Sequence, residues 1–313
     1  MNRESLMREV EHVRCPLCGG DDARQLSVQK GIYGVVKCRV CGLTYLCPRP
    51  TKRGIAAIYN EQYYKDPAVG YPDYLKTFHQ HRETILQIFD ERLRAVSQFK
   101  RGGRILEVGC AYGLLLDYFR KHGWETYGVE LSQTSARYAQ DVMGLDVQNV
   151  PLKRAQFPDL FFDVILMLDV VEHLADHKSA FEVIRRILKD DGIVVVQVPY
   201  ELFHWEKVLQ AIASGRRPGT IAPDAVPAHL CFFTPRTLRL MLEKHGFFVL
   251  KRESGNYGRI RERIFPPSTD SKFLICRLLK VIYYRLGVRK LLRWLAPKLK
   301  QGSGIIFYVS KRI

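Results

Sequence analysis

The sequence predicts an α/β fold: a doubly wound sheet of seven strands, with a cysteine-rich module ahead of it. Three observations lead there. First, the apolar run Arg104-Ile105-Leu106-Glu107-Val108 ends in Gly109-Cys110-Ala111-Tyr112-Gly113 and passes at once into helical periodicity from Leu114 to His122. That is a buried strand, a tight turn and a helix N-terminus. Second, apolar strands and helical stretches keep alternating as far as Val198, the pattern of a parallel sheet covered on both faces. Third, Cys15-Pro-Leu-Cys18 and Cys38-Arg-Val-Cys41 form two C-x-x-C pairs, each followed by glycine.

Composition narrows the class. The 313 residues are 47% apolar and 26% charged, enough for a substantial core. Met1 to Val13 is polar, without the apolar centre of a secretory signal. No run of about 18 uncharged apolar residues reads as a membrane span. Eight cysteines in a chain this long, four of them in C-x-x-C pairs, do not describe a secreted disulfide scaffold. A cytoplasmic location is expected. The net charge is +17, and Lys251 to Ile313 holds 16 Lys/Arg against 3 Asp/Glu. Such a block implies an acidic partner: nucleic acid, lipid headgroups or an anionic substrate.

Taken in order, the chain opens with the two cysteine pairs, 19 residues apart. This spacing is that of a zinc ribbon in which Cys15, Cys18, Cys38 and Cys41 bind one Zn2+. Four thiolates leave no open position, so the metal is expected to be structural. Stretches 34–37 and 43–46 read as its strands, and Cys47-Pro-Arg-Pro50 ends it. The expected units are residues 1–50 as the ribbon, 51–100 as a helical linker or lid, and 101–313 as the α/β domain. Insertions are expected at 200–230 and 256–301. Tyr74 to Phe99 has the periodicity of a single helix, and Gly102-Gly103 stops it. The tyrosines between Tyr59 and Tyr74 read as packing, with cover over a pocket as the alternative.

Beyond Gly113, Glu125–Glu130 is the second strand, Gln133–Met143 a helix and Leu145–Val150 a short third strand. Phe162–Leu168 is a nearly uninterrupted apolar run, broken only by Asp163, as in a central parallel strand, and it leads into Asp169-Val-Val-Glu172-His173. A helix over Lys178–Leu188 and the turn Lys189–Gly192 precede the strand Ile193–Val198. Thr234 caps a helix from Pro235 to His245. Phe247–Lys251 and Gly304–Val309 complete the sheet. Glu130 lies at a strand end 17 residues past Gly113. A carboxylate there accepts bonds from vicinal ribose hydroxyls, whatever the rest of the ligand.

Four blocks now stand in sequence: Glu107-x-Gly109-x-x-x-Gly113, Glu130, Asp169-Val-Val-Glu172-His173 and Arg186-Ile-Leu-Lys-Asp-Asp-Gly192. In this order they resemble the class I S-adenosylmethionine-dependent methyltransferases, and among them the methyltransferase type 23 group. Ala111 departs from the usual glycine. The resemblance implies a Rossmann-like sheet with S-adenosyl-L-methionine as cofactor. It implies that Glu107, Gly109, Cys110, Ala111 and Gly113 line the methionine part. Glu130 and Leu131 would hold the ribose side, Asn149 or Val150 would approach the adenine, and Asp169 would lie beneath the cofactor. A hydride-transferring enzyme is disfavoured, because Glu-x-Gly-x-x-x-Gly is not Gly-x-Gly-x-x-Gly.

His229-Leu-Cys-Phe232-Phe233-Thr234 resembles a block of the zinc-containing deoxysugar C-methyltransferases, where a Glu-His pair supplies the base. Ala228 replaces that glutamate here. His229 is therefore a candidate base, with loop ordering by hydrogen bonds as the alternative. His173 is the weaker candidate, mainly structural. Ser271–Lys300 carries nine Lys/Arg, no acid, and interleaved aliphatics with Trp294. It reads as a basic amphipathic insertion that contacts an anionic membrane or simply presents a solvated face.

The function that follows is methyl transfer to a small or carrier-linked acceptor, a sugar in a polysaccharide, glycolipid or natural-product pathway being the analogy. RNA methylation is the alternative suited to the ribbon and basic tail. Against it, no Asn/Asp-Pro-Pro-Tyr/Phe block and no Pro-Cys pair occurs. A cofactor-binding scaffold at a membrane surface is the third reading. The acceptor atom, O, N or C, stays open at this level.

Overall fold

The computed structural model describes residues 8–59, 73–200, 225–255 and 304–312. Most of the expected 200–230 insertion and the basic 256–301 insertion lie outside the described residues.

The strands are β1 (Val10–Glu11), β2 (Ala23–Gln29), β3 (Tyr33–Cys38), β4 (Thr44–Leu46), β5 (Arg49–Pro50), β6 (Arg104–Val108), β7 (Glu125–Val129), β8 (Asp146–Gln148), β9 (Phe162–Leu168), β10 (Leu188–Pro199), β11 (Cys231–Phe232), β12 (Phe247–Gly255) and β13 (Gly304–Lys311). The helices are α1 (Lys52–Ile58), α2 (Tyr74–Gln80), α3 (Arg82–Ser97), α4 (Leu114–Lys121), α5 (Gln133–Arg137), α6 (His177–Ile187) and α7 (Pro235–Lys244). The main sheet has seven strands in the order β12-β13-β10-β9-β6-β7-β8. Its first five strands in sequence, β6 to β10, pair in parallel, whereas β13 is antiparallel to both β10 and β12. Strand order reverses beside β6, between β7 and β9. That is where an open α/β sheet leaves a crevice at its strand ends.

The apolar run read as a central strand is central: Phe162, Val164, Ile165 and Met167 of β9 are all fully buried. Residues of this size each contribute about 1.5–3 kcal/mol on burial, so the middle of the sheet anchors the turns at its edge. Expected and observed elements differ in three places. Tyr74–Phe99 is two helices, not one. Phe78 and Phe89 stack at 6.4 Å, whereas a continuous helix would put residues eleven apart about 16 Å away along its axis. The chain doubles back at His81, which leaves helical geometry at φ −125°. The Gln133–Met143 helix is α-helical only to Arg137 and then widens into a π turn over Tyr138–Val142. The fifth strand begins at Leu188, with its ladder interrupted between Leu188 and Ile193 where the glycine turn was read.

The cysteine-rich module is joined to the α/β domain through its own sheet. That sheet has the order β11-β4-β3-β2. Its edge strand β11 comes from the far side of the sequence: Cys231 pairs with Tyr45 and Phe232 with Thr44. One apolar cluster runs from Cys15, Leu17, Leu43 and Tyr45 to Val194, Val196, Phe233 and Leu238. At the opposite edge of the main sheet, Gly255 ends β12 directly across from Gly304, the first residue of β13. Among the described residues no helix is long and apolar enough to cross a membrane.

Candidate functional site

The turn after β6 runs through left-handed backbone, at no steric cost to its two glycines and with strain at Ala111. Gly109, Ala111 and Gly113 have φ of 72°, 49° and 74°. Two of these positions also need the absence of a side chain. A Cβ on Gly109 would stand 2.9 Å from Val170 Cγ2, and one on Gly113 would stand 2.4 Å from Leu145 Cδ1. Gly113 starts α4, so the helix dipole and its first amides face the turn.

Glu130, at the end of β7, ties this turn to the next. Its Oε2 accepts from Ala111 N at 2.8 Å and its Oε1 from Ser132 N at 2.7 Å. Two amides do not exhaust a carboxylate, which offers about four acceptor sites, so the same group suits a ribose diol. Asn149, expected near the adenine, also braces the backbone here. Its Nδ2 donates to the carbonyls of Glu130 at 2.8 Å and Leu131 at 3.1 Å, which fixes the strand end. Leu131 remains 48% exposed, an apolar lip beside the buried carboxylate.

Glu107 is buried, and its Oε2 has no hydrogen-bond partner among the described residues. Burial pushes its carboxyl up to about 8, with the Arg92 charge opposing and Glu130 reinforcing. A buried acid of this kind marks a place for a cationic ligand group. Burial likewise keeps the Cys110 thiol protonated, its pKa raised well above the usual value. At the end of β9, Asp169 adopts φ 59°, strained for a non-glycine residue. Gln197 on β10 holds it there: Asp169 N donates to Gln197 O at 2.9 Å, and Gln197 Nε2 lies 3.4 Å from both carboxylate oxygens. Glu107, Glu130 and Asp169 thus stand at the ends of neighbouring parallel strands, and the buried Glu107 carboxyl with its orphaned oxygen fits a cationic adenosyl sulfonium there.

Comparison with known proteins agrees. Residues 78–252 match the methyltransferase domain family of type 23. This chain belongs to that family. The methyltransferase is 30% identical over 212 residues to the ubiquinone biosynthesis O-methyltransferase of Cereibacter sphaeroides strain ATCC 17025, covering 66% of this chain and 81% of the relative. It is 24% identical over 200 residues to the enzyme of the same name from Rhodopseudomonas palustris strain TIE-1, covering 62% and 78%. A chain in the solved complex of the Haloferax volcanii Trm112 methyltransferase activator superposes with TM-score 0.52 at 14% identity, over 80% of this chain and 99% of that one. That last likeness is one of fold. The protein is an S-adenosylmethionine-dependent methyltransferase. The matched region begins after the cysteine pairs.

The methyltransferase brings together two histidines that the sequence kept apart. His173 follows β9 in a short 3-10 turn, Val171–His173. Its ring lies 4.7 Å from that of His229, edge to face. His173 Nδ1 bonds the Ala228 carbonyl at 2.9 Å; a carbonyl only accepts, so Nδ1 carries the hydrogen. Glu172, fully buried, has Oε1 3.9 Å from His173 Nε2. Ligating atoms of Glu172, His173 and His229 all lie within 4.8 Å. Behind them, His177 Nε2 donates to the Val171 carbonyl at 2.9 Å, and burial lowers that imidazole to about 4, so it stays neutral.

Sequence reasoning missed several contributors. Tyr74 stacks on Tyr112 at 5.9 Å, and Tyr112 meets Tyr138 edge-on at 5.3 Å. Burial and the nearby Glu107 charge raise the Tyr74 hydroxyl to about 12. The α2 tyrosine thus sits over the turn that carries Tyr112, beside Glu107; no local pattern distinguished it from packing. Tyr59 meets His173 edge-on at 6.0 Å.

In the ribbon, Sγ of Cys15 and Cys41 are 3.5 Å apart, as are those of Cys18 and Cys38, and all four sulfurs lie within 4.8 Å. Thiolates about 2.3 Å from a tetrahedral zinc stand about 3.8 Å from one another, so the four can hold one ion. Gly19 and Gly42, at φ 80° and 82°, donate back to Cys15 and Cys38 carbonyls, closing each knuckle. Cys47 lies outside the cluster.

Proposed function

We propose that this methyltransferase methylates a hydroxyl on a small or carrier-linked acceptor of the sugar class, with His229 as the base, and that Cys15, Cys18, Cys38 and Cys41 bind a structural zinc ion. The observation that carries the acceptor side is the His173–His229 pair beside buried Glu172. S-adenosylmethionine supplies a methyl group already activated as a sulfonium, so the protein's part is positioning and proton removal. His229 takes the hydroxyl proton as the methyl arrives. The Glu172 carboxylate favours the imidazolium charge that results. His173, held by the Ala228 carbonyl, orients the pair.

Oxygen is supported by two points. The relatives named above are O-methyltransferases, and Ala228 stands where the deoxysugar C-methyltransferases carry the acid of their Glu-His pair. The test is transfer of labelled methyl from S-adenosylmethionine to nucleotide-linked deoxysugars, lipid-linked sugars, catechols and bulk tRNA. Label on a sugar oxygen is expected; label in tRNA would overturn the reading. With that acceptor, His229→Ala should lower kcat by roughly 10²–10⁴ while donor affinity by calorimetry stays unchanged. Unchanged turnover would remove His229 from the chemistry.

The basic insertion supports a second contact, with anionic lipid. Its nine Lys/Arg without acid suit a headgroup surface, at about 1 kcal/mol per basic residue that reaches it. The full chain should pellet with phosphatidylserine vesicles, and a chain lacking Ser271–Gln301 should not. Equal pelleting of both, or of neither, would exclude the contact.

A further inference from the structure

The residues that carry His229 are held from both sides. Toward the main sheet, Leu230 N donates to the Glu172 carbonyl at 2.8 Å, and the Ala228 carbonyl meets His173 Nδ1 at 2.9 Å. Toward the ribbon, the Leu230 carbonyl accepts from Leu46 N at 2.9 Å. The next two residues, Cys231 and Phe232, are the fourth strand of the ribbon's own sheet, paired with Tyr45 and Thr44. One residue, Leu230, thus bridges the ribbon strand β4 and the Glu172–His173 turn. β4 itself begins three residues after the metal-ligand candidate Cys41. A second tie runs parallel to the first: Arg49 Nη1 donates to the Ala175 carbonyl at 3.2 Å, while its Nε pairs with Glu11 at 3.0 Å. The donor residues Glu107 to Gly113, Glu130 and Asp169 are instead fixed within the main sheet and its turns, by bonds to Val129, Ser132 and Gln197.

We infer that the four-cysteine ribbon is the positioning clamp of the acceptor side: it sets the His173–His229 geometry through Leu230 and Arg49, and its metal loading governs that geometry without governing the donor crevice. This rests on the zinc reading above. Two short knuckles cannot bury a core of their own, and in modules of this size the metal supplies the folding free energy. Removing it should loosen β3 and β4, then β11, and with β11 the loop that carries His229. The ribbon residues act through backbone hydrogen bonds and touch no reacting atom, so they are positioning residues.

The test is hydrogen exchange by mass spectrometry on the full chain, zinc-loaded, chelated, and reloaded with zinc. It needs no acceptor. On chelation, exchange in peptides covering 33–46 and 225–233 should accelerate at least roughly tenfold. Peptides covering 104–113 should be unaffected, and S-adenosylmethionine affinity should stay within about threefold. Zinc should restore protection. Retained protection over 225–233 once 33–46 has opened would overturn the clamp. So would parallel opening of 104–113, which would make the ribbon a general stability element. Arg49→Met keeps all four cysteines and removes the second tie. It should accelerate 171–177 and 225–233 with metal content unchanged, and wild-type exchange there would count against the proposal. If the purified chain carries no metal, the zinc reading fails by itself, and the Arg49→Met measurement then decides whether the clamp exists.

Discussion

Glu107→Gln raises the stability of the ligand-free protein at pH 8 and weakens its hold on S-adenosylmethionine. Both effects come from one buried carboxyl whose value is pushed from 4.5 to about 8, chiefly by burial. Because the folded value exceeds the unfolded one, the folded state binds the extra proton. The resulting stability is complete below about 4.5 and is lost as pH rises through about 8. The full shift corresponds to a change on the order of 5 kcal/mol. Urea midpoints of the ligand-free wild type should therefore fall between pH 5 and pH 9, and those of Glu107→Gln should fall less. The donor moves the balance the other way. Its ammonium and sulfonium favour the carboxylate, so binding expels the proton and affinity rises with pH, by at most about tenfold per unit, until about pH 8. Loss of a hydrogen bond to a charged group costs about 1.5–3 kcal/mol, so the variant should bind the donor roughly 10- to 100-fold more weakly at pH 8. Calorimetry at pH 6.5 and 8.5 checks this. Equal affinity of both proteins at both values would show that Glu107 does not face the donor.

Gly113→Ala destabilises the fold by more than its left-handed backbone alone requires. An L-residue in that region costs about 1–2 kcal/mol. The new methyl group would also sit 2.4 Å from Leu145 Cδ1 and 3.2 Å from Ala139 Cβ, and overpacking adds about 1–3 kcal/mol. Gly123 is the control. Its φ is 85°, and a Cβ there meets nothing within 4 Å. Thermal unfolding should place Gly113→Ala roughly 5–15 °C below wild type, with Gly123→Ala falling by the backbone cost alone. Equal shifts would mean that the turn accommodates the methyl group by moving Leu145. Donor affinity should fall with Gly113→Ala and remain with Gly123→Ala.

These two predictions sit where the sequence is most legible. The strand, turn and helix from Arg104 to His122 show themselves by local periodicity and by glycines. The fixed spacing of the cysteine pairs likewise brings their sulfurs together. Most of the parts that escaped reading are contacts between segments apart in sequence. A two-residue strand such as Cys231–Phe232 has no period to detect, and its partner lies in the ribbon. His173 and His229 carry no mark of their proximity, so the sequence ranked them separately. Phe78 stacking on Phe89 required a reversal at His81 that an apolar helical pattern conceals, because both arms of the hairpin are themselves helical. The bonds from the Asn149 amide to the Glu130 and Leu131 carbonyls left no signal in the sequence either, because every residue offers such a carbonyl.

The chain leaves β12 at Gly255 and re-enters β13 at Gly304, and these two glycines are cross-strand partners. A tight two-residue hairpin turn would close the same gap, and loop closure grows only slowly more costly with length. The position is therefore a socket. Segments of very different size and charge can be spliced in or removed there while the donor crevice, on the other side of β10, keeps its strand register. Changes of length at this joint leave the pairing of the parallel strands as it is.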